Sequence, residues 1–427
     1  MKNLNLNKHY YTNLLPSSML RNIFRHSYFI LLFVLMSVIY FVARPMVTLD
    51  SYWVIPTSLS LLNEGNFDLD EYRNYGLEES YAAIRMENHY FNYFPYGISI
   101  LITPIVSVLN LFFKEALFFK YHAHLEKLCA SILILFSLSI LYKLSTHFLS
   151  NRMAAILVFV IGLGTPLLSS GSRALWQHSG SVLLLSLALL LLVSKKQTKV
   201  SITFLGVILV FAYVVRPTNI IPLVSISFFV FYLYPVQRLN YLSSFLISFC
   251  IFFLINYFTF GEIFHPYYQS NRLSFDWDVF RIALLGNLFS PNRGIFIWSP
   301  VLLIIFLTFF ISIRYKLIAL LCVSIIILHS LAISMFPHWW GGHSVGPRFF
   351  TDIIPFFVLI LSLVWKKFRK NHLFTLTFLI LATISMSIHI SALFSKRTQL
   401  WNIRGGDVNE FPERIWDWNK PQFFPFE

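Results

Sequence analysis

"IIPFFVLILSLVWKKFRKNHLFTLTFLILATISMSIHISALF" occupies positions 353–394. Two apolar runs flank a basic turn, KKFRK at 366–370, that carries no acid. About 20 apolar residues in a helix cross about 30 Å of hydrocarbon. Within lipid every backbone N–H and C=O needs a partner inside the protein, so only helices and closed barrels span. Barrel strands need only about 9–11 residues and alternate in polarity. These runs are longer and uniformly apolar. The stretch therefore reads as a helical hairpin in a membrane, turned at its basic end.

The pattern recurs along the chain. Apolar runs fall at about 27–43, 95–113, 125–142, 153–169, 180–194, 200–215, 219–234, 241–260, 299–313, 317–335, 350–365 and 373–394. Hydrophobic residues make up 57% of the 427 positions, charged residues 12%, and mean hydropathy is +0.67. A soluble chain of this length could not hide so much apolar surface. The expected fold is all-α, a polytopic membrane helical bundle. Cys129, Cys250 and Cys322 lie in or beside apolar runs and form no CxxC pair, which suits packing rather than a disulfide framework. The run from 27 follows a basic lead and lacks a small-residue cleavage site, so it reads as a retained signal anchor.

Charge orders the runs. The net charge of +14 could suggest nucleic acid, but the basic residues cluster beside the spans, as the positive-inside rule requires. The second run, 95–113, contains Pro95, Gly97 and Pro104. If it does not cross, the segments 1–26, 143–152, 195–199, 235–240, 314–316 and 366–372 face the cytoplasm. They hold 16 of the 33 Lys and Arg and none of the 19 acids. If it does cross, the acid-free basic loops, KKFRK among them, point outward. The charge bias favours about eleven transmembrane helices, with 95–113 interfacial or re-entrant. The organisation expected is a cytoplasmic basic N-terminus at 1–26 and a bundle at 27–394. External loops occupy 44–124 and 261–298, and an external tail occupies 395–427.

All unusual polar chemistry then lies on one face. Seven carboxylates crowd positions 46–79: Asp50, Glu64, Asp68, Asp70, Glu71, Glu78 and Glu79. The spans read as nearly free of ionisable groups, apart from His329 and His389. A transporter would place such groups at the midplane between broken helices. A one-sided active site fits better. Asp50 lies just past the first span, where a carboxylate can be partly desolvated and serve as general base. Asp68 and Asp70 form a DxD, which helix capping also produces. Arg173, Arg216, Arg293 and Arg348 each stand beside an apolar span. Arginine suits phosphate oxygens, although it also anchors helices at lipid headgroups. These four sit in Gly- and Pro-bearing turns on the face where the charge rule disfavours arginine. Trp339 and Trp340, followed by two glycines, offer flat faces to a sugar ring or prenyl chain; interfacial tryptophans also form aromatic belts. His178 and His343 complete the candidate set. The exterior histidines have no metal-site spacing.

These segments carry a resemblance. Asp50 with "NEGNFDLDEY" (63–72), then "NYFPYGISILITP" (92–104), "GTPLLSSGSRALWQH" (164–178), "LFSPNRGIFIWSP" (288–300) and "WWGGHSVGPRF" (339–349) resemble elements of the GT-C class of integral membrane glycosyltransferases. That class includes protein O-mannosyltransferases, the lipid A aminoarabinose transferase and O-antigen glucosyltransferases. The resemblance spans most of the chain. It implies a GT-C-like bundle with juxtamembrane helices in the first external loop. It also implies a polyprenyl-phosphate sugar as donor and an envelope glycan, lipid or protein as acceptor, at the outer face of a bacterial inner membrane. Asp50 would take the acceptor proton, and Arg173, Arg216, Arg293 or Arg348 would hold the leaving phosphate. Asp68 and Asp70 would orient the acceptor or bind a divalent cation, the one cofactor this reading admits. The class often has two adjacent acids at the catalytic position, whereas Ser51 follows Asp50 here. A polysaccharide polymerase or ligase, or a lipid-linked sugar transporter, would be the alternatives.

Overall fold

The computed structural model describes residues 17–194, 198–268, 273 and 276–424. Most of the basic lead and of the turn at 195–199, and the end of the tail, lie outside the described residues.

The chain is mostly helical. In order run α1 (Ser17–Val42), α2 (Val54–Asn63), β1 (Ala83–Met86), β2 (His89–Asn92), α3 (Gly97–Asn110), α4 (Glu115–Lys120) and α5 (His122–Ser145). Then come α6 (Asn151–Leu163), α7 (Gln177–Val193), α8 (Lys199–Val215), α9 (Ile220–Leu233) and α10 (Arg238–Phe260). The last are α11 (Trp277–Phe289), α12 (Ile295–Trp298), α13 (Lys316–Ile333), α14 (Ile354–Phe368), α15 (His372–Phe394) and α16 (Lys396–Leu400). Five stretches are long and apolar enough to cross a membrane: His122–Ser145, Pro235–Phe260, Ile313–Ile333, Arg348–Phe368 and His372–Phe394. The other apolar helical stretches, His26–Val42 of α1 among them, have 10–17 residues. The run at 95–113 yields the 14-residue α3, within the length range of those shorter helices.

Three expectations need correction. The stretch 44–124 holds short helices, as expected, but also the antiparallel hairpin β1–β2, with Ala83 opposite Asn92. The run at 299–313 winds as a 3₁₀-helix over Pro300–Phe310, not as an α-helix. The spans are also less bare of charge than the sequence reading held. Glu126 and Lys127 lie in α5 and Asp352 in Arg348–Phe368, all buried.

Local chemistry explains the breaks. In the opening stretch, Lys366 and Lys367 occupy the last turn of α14, where cations suit the helix dipole. Asn371 then caps α15 by accepting from the Phe374 amide. Pro217 disfavours helical backbone at the residue before it, so Arg216 is extended (φ −153°, ψ 120°) and α8 ends there. The stretch Arg348–Phe368 is the central rod, with 89% of its most apolar part buried; Pro235–Phe260 is peripheral, with 17% buried. The chain after α15 folds back. Trp401, Val408 and Ile415 pack with Ala283, Trp339 and Trp340, and Phe423 meets the Trp298 ring edge-on at 5.4 Å.

Candidate active site

Asp50 follows α1 in the turn that leads to α2. Its amide donates to Thr48 Oγ1 at 3.2 Å, and the same hydroxyl oxygen accepts from Trp176 Nε1 at 3.2 Å. This fixes the turn against the start of α7. The carboxylate is 25% exposed. Its Oδ2 accepts from Arg348 Nη2 at 2.8 Å and its Oδ1 from the Tyr81 hydroxyl at 2.5 Å. The Arg348 guanidinium carbon lies over the Trp176 ring, 3.9 Å from its centroid. Such stacking is favourable for a partly desolvated guanidinium.

Behind Arg348 the network continues inward. Arg348 Nε donates to His178 Nε2 at 3.2 Å, and Nη1 donates to the Gly341 carbonyl at 3.3 Å. Arginine has no acceptor, so the His178 proton must sit on Nδ1. From there it is donated to Asp352 Oδ1 at 3.0 Å. The other Asp352 oxygen lies 2.6 Å from Arg216 Nε, a close ion pair not aligned as a hydrogen bond. Arg216 Nη1 reaches Gln177 Oε1 at 3.5 Å. His178 and Asp352 are fully buried. The chain of contacts runs Tyr81, Asp50, Arg348, His178, Asp352, Arg216 and Gln177.

A cavity of about 20 Å³ opens beside it, bounded by Asp50, Trp176, Gln177, Arg216, Tyr267 and Arg348 among others. One carboxylate and two guanidinium groups therefore face one small space. Burial alone would raise the Asp50 carboxyl. The Arg348 charge and the Tyr81 and Arg348 hydrogen bonds outweigh it, and hold the group below its ordinary value. Tyr81 moves the other way, raised by burial and then by the Asp50 charge. Next to Asp50, Ser51 donates to the buried Glu126.

Of the residues singled out from sequence, Asp50, His178, Arg216 and Arg348 converge here. The others do not. Asp70 binds His89 (2.6 Å), Arg73 (3.1 Å) and the Tyr90 amide (3.2 Å), with Asp68 beside it. Ligand atoms of Asp68, Asp70 and His89 lie within 4.8 Å of one another. Both Asp70 oxygens are already engaged, one of them by a guanidinium, so the set fits a divalent cation poorly. Arg293 is buried, and all five of its N–H groups have acceptors. These are the carbonyls of Trp340, Asn292 and Gly342, with Gln422 Oε1 and Asn402 Oδ1. That arginine pins the tail and leaves no donor for a ligand. Arg173 is likewise buried, bonded to the carbonyls of Arg44, Ser169 and Ala392. Trp340 donates to Asn409, His343 pairs with Asp407 at 2.9 Å, and Trp339 packs in the tail cluster. These contacts serve the tail.

Sequence reading passed over Tyr81, Trp176, Gln177, Glu126 and Asp352. Two carried a readable signal, since Glu126 and Asp352 are acids inside or at the edge of apolar runs, where ionisable groups are costly. Tyr81 carried none. No family model, curated protein or solved structure matches the chain.

Proposed function

We propose that the chain is a polytopic membrane glycosyltransferase of GT-C type. On this reading eleven segments span a bacterial inner membrane, α3 rests at the interface, and the Asp50 cavity opens to the outer side. The donor is a polyprenyl-phosphate sugar, and the acceptor is a hydroxyl of an envelope glycan, lipid or protein. The observation that carries this is one carboxylate and two arginines facing a single small cavity at the mouth of an apolar bundle.

Chemistry follows from the placement. The acceptor oxygen bonds to the anomeric carbon as the bond from that carbon to the phosphate oxygen breaks. The phosphate leaves with the electron pair, and the acceptor proton passes to Asp50. Arg216 and Arg348 stabilise the charge that develops on the phosphate. Arg348 uses one N–H on each of Nε, Nη1 and Nη2 within the chain, which leaves one on each terminal nitrogen for a ligand. A phosphate that draws Arg348 away from Asp50 would also free the carboxylate and raise its basicity, so donor binding arms the base. Asp352 and His178 position Arg348 and Arg216 from behind. No step is routed through a metal ion.

The test is Asp50→Asn. The amide oxygen still accepts from Arg348 or Tyr81, so the protein is expected to fold. It cannot take the proton, and loss of a positioned general base costs about 10²–10⁴-fold in rate. Sugar transfer from a polyprenyl-phosphate hexose in proteoliposomes should fall by that factor while donor binding persists. Wild-type turnover by folded Asp50→Asn protein would leave the network as a structural salt-bridge cluster and reject the assignment.

A further inference from the structure

The cavity with its two arginines accounts for one side of Asp50. Trp176, Arg216, Tyr267 and Arg348 are among the residues that bound it, and Tyr81 is not. Tyr81 is instead 60% exposed, in the loop that precedes β1. Its hydroxyl still donates to Asp50 Oδ1 at 2.5 Å, while Arg348 holds Oδ2. The Tyr81 bond therefore covers Asp50 from the solvent side, outside the cavity.

The chain around Tyr81 is fixed, and the side chain alone is free to turn. Ser80 Oγ accepts from Trp53 Nε1 at 2.9 Å and from the Ala82 amide at 3.3 Å. Ala82 is fully buried, and its carbonyl accepts from the Tyr93 amide at 2.8 Å. An exposed side chain between such anchors changes rotamer quickly, with no movement of the backbone. Among the described residues the Tyr81 hydroxyl makes one hydrogen bond, the one to Asp50. A phenol keeps its proton to about pH 10, so Tyr81 donates and Asp50 accepts. A substrate hydroxyl must make this same bond before Asp50 can take its proton. Exchange of one such bond for the other is close to neutral in energy.

We infer that the Tyr81 hydroxyl stands in the place of the acceptor hydroxyl, and that the acceptor enters from the loop side and displaces it from Asp50 Oδ1. Donor and acceptor then approach Asp50 by separate routes, the phosphate through the cavity and the acceptor past Tyr81. With no acceptor present, Tyr81 occupies the base and keeps water from using it. Tyr81 is thus a positioning residue that governs access to Asp50. The inference rests on the glycosyl-transfer reading for the identity of the displacing group.

The test is Tyr81→Phe, which keeps the exposed ring and removes the bond. Protein in proteoliposomes is given a polyprenyl-phosphate hexose and no acceptor, so water is the hydroxyl on offer. Release of free hexose should rise about tenfold over wild type, as loss of one hydrogen bond to a charged group implies. The acidic limb of that reaction should move to higher pH, because the lost bond helps hold Asp50 below its ordinary value. A second readout needs no sugar. A water-soluble carbodiimide with glycine methyl ester should modify Asp50 about tenfold faster in the variant, as peptide mass spectrometry reports. Measurable hexose release that is unchanged or slower in Tyr81→Phe would overturn the inference, and so would unchanged modification of Asp50. Release by neither protein, beside faster modification, would reject glycosyl transfer and the acceptor's place with it, while the cover on Asp50 stands.

Discussion

Asp50 and Arg348 are 298 positions apart and meet at 2.8 Å. The guanidinium helps hold the carboxyl below its ordinary pKa. A depressed carboxyl pKa stabilises the fold above the unfolded value of about 3.9, and the benefit is lost as pH falls through the lower folded value. Removing Arg348 leaves the burial and deletes the strongest opposing influence, so the Asp50 pKa should rise. Arg348→Gln is therefore expected to lower transfer and to move the acidic limb of its kcat/KM profile to higher pH. The pH–rate profile of the variant in proteoliposomes checks this. An acidic limb at the wild-type pH would mean that Arg348 does not tune Asp50. Arg293 teaches the converse lesson. It looked equivalent to Arg348 in sequence, in a similar Gly- and Pro-bearing turn. Its five bonds to neutral acceptors make it a structural pin, a distinction set by neighbours and invisible in residue type.

Short irregular elements aim the site residues, while the long helices provide the frame. The turn before Arg348 contains Gly346 at φ +65°, and a Cβ there would sit 2.7 Å from the Trp298 ring. The Gly346 amide also donates to Gln422 of the tail at 3.0 Å. Gly346→Ala combines backbone strain with overpacking, and overpacking alone costs about 1–3 kcal/mol. The variant should unfold at lower temperature and lose transfer beyond what its folded fraction explains, because Arg348 is displaced. Thermal unfolding in detergent, read beside activity, separates these effects; an unchanged midpoint would show that the loop absorbs the methyl group. Gly286 has a related role, since a Cβ there would meet the Trp339 ring at 2.2 Å. In sequence, "WWGG" offered flat faces to a sugar ring or prenyl chain. The structure uses Trp339 and Trp340 to seat the chain after α15.

For the molecule as a whole, two tests bear on architecture. Deleting 396–427 would remove Asn402 and Gln422 from Arg293 and strip the cover from Trp339 and Trp340. The truncated protein should aggregate or unfold at lower temperature, as size-exclusion profiles and melting curves would report; a monodisperse, active truncation would show the tail to be dispensable. Orientation is tested by cysteine labelling in a Cys250→Ser background, because Cys250 is exposed. Lys120→Cys should react with a membrane-impermeant thiol reagent in intact cells, and Gln197→Cys, outside the described residues, should not. Reaction at both would overturn the eleven-span arrangement. The sequence by itself determined the solvent: long apolar runs and acid-free basic turns are local, additive properties, and they require helices in lipid. It also singled out, within a wider set, Asp50 for its place just past the first span, Arg216 and Arg348 for standing on the face where the charge rule disfavours arginine, and His178 among the exterior histidines. Only the tertiary structure decided that these four meet, that Tyr81 and Asp352 join them, and that Arg173 and Arg293 do not. The hairpin, paired locally across the turn at Glu87 and Asn88, and the 3₁₀ winding of Pro300–Phe310 were not read from the apolar pattern. Hydrophobicity is read one residue at a time, but a hydrogen-bond partner hundreds of positions away exists only once the bundle has closed.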